Sequence, residues 1–199
     1  MSLARSGALL VLFIATWSMA NQARGQTTTS AAPIAIDAGQ SSARFVVHTR
    51  ISMRAEGVMP QVSGELQGSP AAGWQVLVYV DGRGLQFEGP RWMERITRSE
   101  AFLAVDRHPG IHFHSEKFAD AALRDGGPLH GELTLRGQTR PVSFQLQPST
   151  CARPGRDCEI QVQGTISRHA FGMNAYRALV KDDVDFHIRV RLQAEAPPS

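Results

Sequence analysis

Residues 129–146 read LHGELTLRGQTRPVSFQL, and this stretch decides the fold class. In its first half Leu129, Gly131, Leu133 and Leu135 alternate with His130, Glu132, Thr134 and Arg136, the period-two pattern of a half-buried strand. Gly137 breaks the run, and Val142, Phe144 and Leu146 then alternate with Ser143 and Gln145 on a returning strand after a short polar turn. A two-stranded hairpin is not stable alone in water, so other strands must cover its apolar face. Each Leu or Phe buried there contributes roughly 1.5 to 3 kcal/mol.

The neighbouring segments supply those strands. Ala43–Thr49 and Arg54–Gln67 flank an irregular turn, with Gly57, Pro60 and Gly64 read as bulges or bends. Trp74–Asp81 is apolar on both sides and reads as a strand covered on two faces. Ile111–Phe118, Glu159–Ser167 and Val184–Leu192 complete a set of about eight strands. Between Gly89 and Val105, Trp92, Met93, Ile96, Phe102 and Leu103 recur at helical spacing, which predicts one short helix over about 89–105. An all-β antiparallel barrel or sandwich follows, and an eight-stranded barrel is either filled by side chains or holds one small or elongated ligand.

The first twenty residues carry Arg5, then an apolar run from Ala8, then Ser18-Met19-Ala20. These are the n-region, h-region and small-residue cleavage site of a secretory signal peptide over 1–20, with a second cleavage point as late as residue 25. Residues 21–32 read as a flexible linker, 33–195 as one barrel domain, and 196–199 as a frayed tail. Export to the periplasm, or outside the cell, is the expected destination.

The chain has 21 Lys plus Arg against 18 Asp plus Glu, interspersed and not gathered in a stripe, which argues against nucleic acid as a partner. Its two cysteines, Cys151 and Cys158, bracket ARPGRD. In an oxidising compartment they are expected to close a small disulfide loop; the alternative, a redox pair, lacks the C-x-x-C spacing.

Chemical motifs are scarce. Nothing fits G-x-S-x-G, H-E-x-x-H, a P-loop or a dinucleotide fingerprint, so no catalytic residues are named and the chain is not expected to be an enzyme. His112 and His114 share one strand face and form a weak candidate metal pair without a third ligand. His48, His130 and His187 stand singly on outward positions and read as solvated. Arg91, Arg95 and Arg98 fall on one helix face, either solvated or turned to phosphate. Arg168 and His169, beside Phe171-Gly172, read as a turn near the end of a strand.

Three blocks, Gly131–Val142 (GELTLRGQTRPV), Arg98–Pro109 (RSEAFLAVDRHP) running on to Phe113 and Ser115, and Gly164–Gly172 (GTISRHAFG), resemble in order and spacing the YceI-like family of secreted bacterial proteins. The likeness spans about Ile34 to Glu195. It implies a lipocalin-like, eight-stranded antiparallel barrel with a helix across it and an apolar internal tunnel. It also implies a polyisoprenoid-binding protein, holding a quinone or prenyl-phosphate chain, with a homodimer as a candidate state. Alternatives are a scavenger of hydrophobic compounds such as antibiotics, or a quinone-holding accessory to a transient membrane redox or transport partner. No cofactor is expected to be required, and a bound isoprenoid lipid or quinone is a candidate. The chain departs from the family pattern at Met93, Glu94 and Ile96, where an Arg-Asp pair and a His are common, and at Thr49, where the first strand often has His.

Inward phase selects the tunnel-wall candidates. They are Phe45 and Val47 on the first strand, Trp74, Val76 and Val78 on the third, Phe113 on the fourth, and Leu133, Leu135 and Phe144 on the hairpin. Phe186, Ile188 and Val190 on the last strand join them, with Phe102 and Phe171 from the connections. Arg98 and Arg168 are candidate headgroup contacts.

Overall fold

The computed structural model describes residues 32–194; the expected leader, all but the last residue of the linker, and the tail lie outside them. The strands are β1 (Ile34–Ala35), β2 (Ser42–Thr49), β3 (Arg54–Pro60), β4 (Ser63–Ser69), β5 (Gly73–Asp81) and β6 (Gln86–Glu88). After helix α1 (Arg91–Arg98) come β7 (Gly110–Ser115), the one-turn helix α2 (Ala122–Asp125), β8 (Gly127–Leu135), β9 (Gln138–Leu146), β10 (Ile160–Ser167) and β11 (Val180–Val190). They form one antiparallel sheet in the order β1-β4-β5-β7-β8-β9-β10-β11-β2-β3-β6.

The hairpin sits in the middle of that order. Arg136 and Gly137 take φ of 54° and 69°, the left-handed pair that lets a two-residue turn match the twist of its strands. Leu135 therefore faces Gln138 and Leu129 faces Phe144, which puts Leu129, Leu133, Leu135, Phe144 and Leu146 together in the core.

Eleven strands stand where eight are expected, because two of the eight bend. β1 and β2 run along the same flank of β11: Arg189 faces Ser42, and Leu192 bridges Ile36. β3 and β4 are likewise one path, broken after Pro60 at Gln61, whose φ is 64°. The eleventh strand is the short β6 beside β3. Since β1 also pairs with β4, and Asp37 N–H and Gln193 N–H donate to Arg191 and Ala35 carbonyls at 2.8 Å, the sheet curls until it meets itself at this end.

Gly57 is not a bulge. It pairs in register with Phe45, and a Cβ there would lie 2.4 Å from the Phe45 ring; the glycine makes room for the ring inside the curl. β5 is covered on one face only, leaving Tyr79 38% exposed on the outside. The helix is shorter than the apolar spacing predicts. It stops at Ser99, whose hydroxyl donates to the Ile96 carbonyl at 2.7 Å and accepts from Ala101 N–H at 3.3 Å, a local alternative to the helical ladder. Phe102 and Leu103 belong to the turns that follow.

Cys151 and Cys158 are disulfide-bonded, with Cα atoms 6.1 Å apart. The loop they close is pinned where the sheet meets itself, by Leu192 N–H to the Gly155 carbonyl at 2.8 Å and Arg191 to the Arg156 carbonyl at 2.9 Å. Chain-entropy reasoning for so short a loop gives about 2.5 kcal/mol. Replacing both cysteines with serine is therefore expected to lower the melting temperature by roughly 5 to 10 °C, read by calorimetry; an unchanged melt would show the loop is held by its other contacts.

Candidate functional site

Strand phase decides what faces the interior. On β10 the inward positions are Ile160, Val162, Gly164 and Ile166, and on β11 Val184, Phe186, Ile188 and Val190; Gly164 faces Phe186 across the pair. Four rings cross the interior in a row. Phe113 meets Phe144 at 5.3 Å between centroids, Phe144 meets Phe186 at 6.4 Å, and Phe186 meets Phe45 at 6.2 Å. Glycines seat them: a Cβ on Gly131 would lie 2.8 Å from Phe113, and one on Gly164 2.3 Å from Phe144. Around this row lies a cavity of about 140 Å³ running from Ile36, Phe118 and Leu123 to Thr97, Phe102 and Met173.

Its walls are apolar with two exceptions. Thr97 spends its hydroxyl on the Met93 carbonyl at 2.9 Å. Arg168 is 1% exposed and continues the inward phase of β10 by one step. Its guanidinium donates to four carbonyls: Met173 at 2.5 Å, Ala175 at 2.8 Å, Lys181 at 2.9 Å and Val180 at 3.2 Å. It also lies 5.6 Å from the centre of the Phe102 ring, within cation–π range. Burial lowers its pKa and Asp182 raises it in part, but a guanidinium keeps its charge in either case. The cavity thus has an apolar length and one cationic point on its wall.

Phe45, Val47, Val76, Val78, Phe102, Phe113, Leu133, Leu135, Phe144, Phe186, Ile188 and Val190 all line this cavity, as does Arg168. Three sequence-selected residues do not reach it. Trp74 is buried at the rim of the sheet, where its indole N–H donates to Asp120 at 2.8 Å and its backbone bridges Phe118. Phe171 is buried in the turn after β10. Arg98 is spent elsewhere, on the Glu94 carboxylate of its own helix at 3.0 Å and on the Arg83 and Leu85 carbonyls between β5 and β6.

His112 and His114 point outward, His112 against Tyr79 at 5.1 Å, and no group of three or more metal-binding side chains gathers among the described residues. The wall residues that phase extends to but sequence selection passed over include Leu129, Leu146, Val162 and Ile166; Leu123 on the one-turn helix α2 and Phe118 and Met173 in the connections carry no periodic signal.

Outside the sheet, His48 is not merely solvated: its Nε2 lies 2.9 Å from Asp185, which also accepts from Thr165 at 2.7 Å. The Thr165 hydroxyl is the main cause holding the Asp185 carboxyl below its ordinary value, against burial and with help from His48. Burial pushes Asp182 up, but the His169 amide and the Ser167 hydroxyl outweigh it, so this carboxyl also sits low. A carboxylate with a depressed folded-state pKa stabilises the fold above its unfolded value and loses that contribution as pH falls through the folded value. The melting temperature is therefore expected to hold from neutrality to about pH 5 and fall below about pH 4. Asp185→Asn together with Asp182→Asn should melt lower at neutral pH with a shallower acid decline; a parallel decline would exclude these two groups.

The sequence pattern of the YceI-like domain matches residues 35–192. In architecture the chain is similar to Burkholderia cenocepacia BcnA, with 17% identity, a TM-score of 0.65, and 80% of this chain and 99% of that one covered. It is similar also to a polyisoprenoid binding domain from Saccharophagus degradans implicated in plant cell wall breakdown, with 12% identity, a TM-score of 0.61 and coverage of 81% and 98%. The Campylobacter jejuni YCEI protein aligns at 17% identity and a TM-score of 0.53, covering 70% and 85%. No curated protein sequence matches the chain.

Proposed function

The chain belongs to the YceI-like family, and from that premise we propose that it is a binding protein, not an enzyme, which holds a polyisoprenoid or similarly long apolar molecule inside the curled sheet. The observation that carries this reading is the cavity whose walls are apolar apart from Thr97 and Arg168. Such a surface gives affinity through water exclusion and offers no convergent set of acid, base and nucleophile. The polyisoprenoid binding domain of Saccharophagus degradans shares the architecture, which supports the same ligand class here.

An apolar cavity of about 150 Å³ accepts a benzene-sized guest, so about 140 Å³ is short of a chain of several isoprene units. Binding of the whole chain would then turn the row of Phe45, Phe186, Phe144 and Phe113 aside. The ligand's oxygen-bearing head, quinone or phosphate, would lie at Arg168, where four of the five guanidinium N–H groups are held by carbonyls and one is left to donate. The proposed site of action is the periplasm, with the segment over 1–20 as the leader.

Native mass spectrometry and solvent extraction of freshly purified protein test the reading. The expected result is a bound lipid series spaced by one isoprene unit. A protein that carries no lipid and fails to take up an added short-chain quinone would overturn it, while uptake of many unrelated hydrophobic compounds would favour the scavenger. Release of the protein by osmotic shock tests the compartment.

A further inference from the structure

Among the described residues, five of the six exposed large apolar side chains gather at one end of the sheet. Ile51 and Met53 lie in the β2–β3 loop, Trp92 in the first turn of α1, and Tyr176 and Leu179 in the segment leading to β11, each half or more exposed. The topology makes these one surface. The Arg50 N–H donates to the Leu179 carbonyl at 2.8 Å and its side chain to the Arg177 carbonyl at 3.3 Å. β6 pairs with β3 at Glu88 and Glu56, which delivers the start of α1 beside Arg54.

Cations surround the apolar residues. Arg50, Arg54, Arg91, Arg95, Arg177 and Lys181 are all exposed there, and none forms an ion pair among the described residues. Of the acids there, Glu94 is paired with Arg98 at 3.0 Å, Glu56 and Glu88 are taken by Arg44, and Asp182 is held by His169 and Ser167; Asp183, exposed beside Lys181, offsets one of the six cations. On a chain whose formal net charge is +3, this is a concentrated positive field around exposed apolar tips.

We propose that this end of the barrel docks on an anionic lipid bilayer, the side chains of Ile51, Met53, Trp92, Tyr176 and Leu179 entering the interface while the six cations face lipid phosphates. The pattern of aromatic and aliphatic tips ringed by Lys and Arg is what interfacial binding uses. A neutral membrane would leave the cations without counter-charges, so the anionic surface is the partner the charges specify. The surface also shares a wall with the cavity: Phe102 lines the cavity and stacks on Tyr176 at 6.0 Å, and Arg168 holds the segment that carries Tyr176 and Leu179. An apolar chain crossing here would pass from bilayer to cavity without meeting bulk water.

The test is co-sedimentation of the full chain with vesicles of phosphatidylglycerol mixed into phosphatidylcholine, against phosphatidylcholine alone. Binding is expected only to the mixed vesicles, falling with added salt, with a blue shift of fluorescence that Trp92→Phe removes. Arg50→Glu with Arg91→Glu and Arg177→Glu should weaken binding on the order of 100-fold, while the corresponding three Lys substitutions should retain it. If the glutamate variant melts early, the glutamine version takes its place, with a smaller loss expected.

Equal binding to both vesicle types, no binding at low salt, or undiminished binding of the glutamate variant would overturn the proposal. So would a stable dimer broken by Leu179→Ser, which would assign the surface to a second copy of the chain. Vesicle binding needs no lipid in the cavity, so this result and the extraction result fail independently.

Discussion

Arg168→Leu is expected to destabilise the protein by roughly 3 to 5 kcal/mol and lower its melting temperature by roughly 6 to 20 °C. The guanidinium is the common donor for the carbonyls of Met173, Ala175, Val180 and Lys181, which belong to one segment crossing the end of the barrel. A leucine fills much of the space but donates nothing, and each buried carbonyl left unpaired costs about 1 to 3 kcal/mol. Partial rehydration of the more exposed carbonyls holds the total below the simple sum. Lysine should rescue only in part, because an ammonium cannot reproduce the planar fork. Calorimetry gives the magnitude, and hydrogen exchange gives the place: amides of 173–181 should exchange faster while those of β8 and β9 stay protected. A variant that melts like the parent would remove Arg168 from its structural role and leave it only as a ligand contact.

The second large effect is expected at Phe144, which touches both Phe113 and Phe186 in the ring row. Phe144→Ala should cost about 3 to 5 kcal/mol, since the row loses one of its two inner members and the strands around it can only partly collapse. The same change should enlarge the cavity and raise affinity for benzene-sized and short isoprenoid guests, which in turn would restore part of the lost stability by mass action. Melting with and without such a guest separates the two effects. A large loss that no guest recovers would mean the space closes on itself, and an unchanged melt would mean the ring is not packed. Gly164→Ala tests the same contact from the other side: a Cβ there would sit 2.3 Å from the Phe144 ring, so the ring must move.

Much of this was legible in the residues. The alternation of Leu129 to Leu135 and of Val142 to Leu146, and the break at Gly137, are local properties. They name a hairpin, its turn and its inward face, and the same phase rule reaches Phe45, Phe113, Phe186 and Ile188. The role of Trp74 was not legible, because strand phase tells which face a side chain takes but not how far along the strand the cavity extends. At the rim the indole finds Asp120, 46 residues away. The length of α1 was hidden for a similar reason: Phe102 and Leu103 keep helical spacing while Ser99 has already turned the chain.

What the sequence by itself determined is an all-β antiparallel fold with its inward faces, the cysteine loop and the family resemblance, because each rests on periodicity, turn chemistry or an ordered set of short blocks. What only the tertiary structure decided is how two of eight strand paths bend, with β6 added, to make eleven strands that meet at Ile36 and Leu192, how glycines on neighbouring strands seat three of the four rings, and how Arg168 gathers four carbonyls. It also decided that loops far apart in the chain bring their apolar tips and unpaired cations to one end. These are contacts between residues distant in sequence, fixed by strand order and by what the closing of the sheet brings together, and no local pattern encodes them.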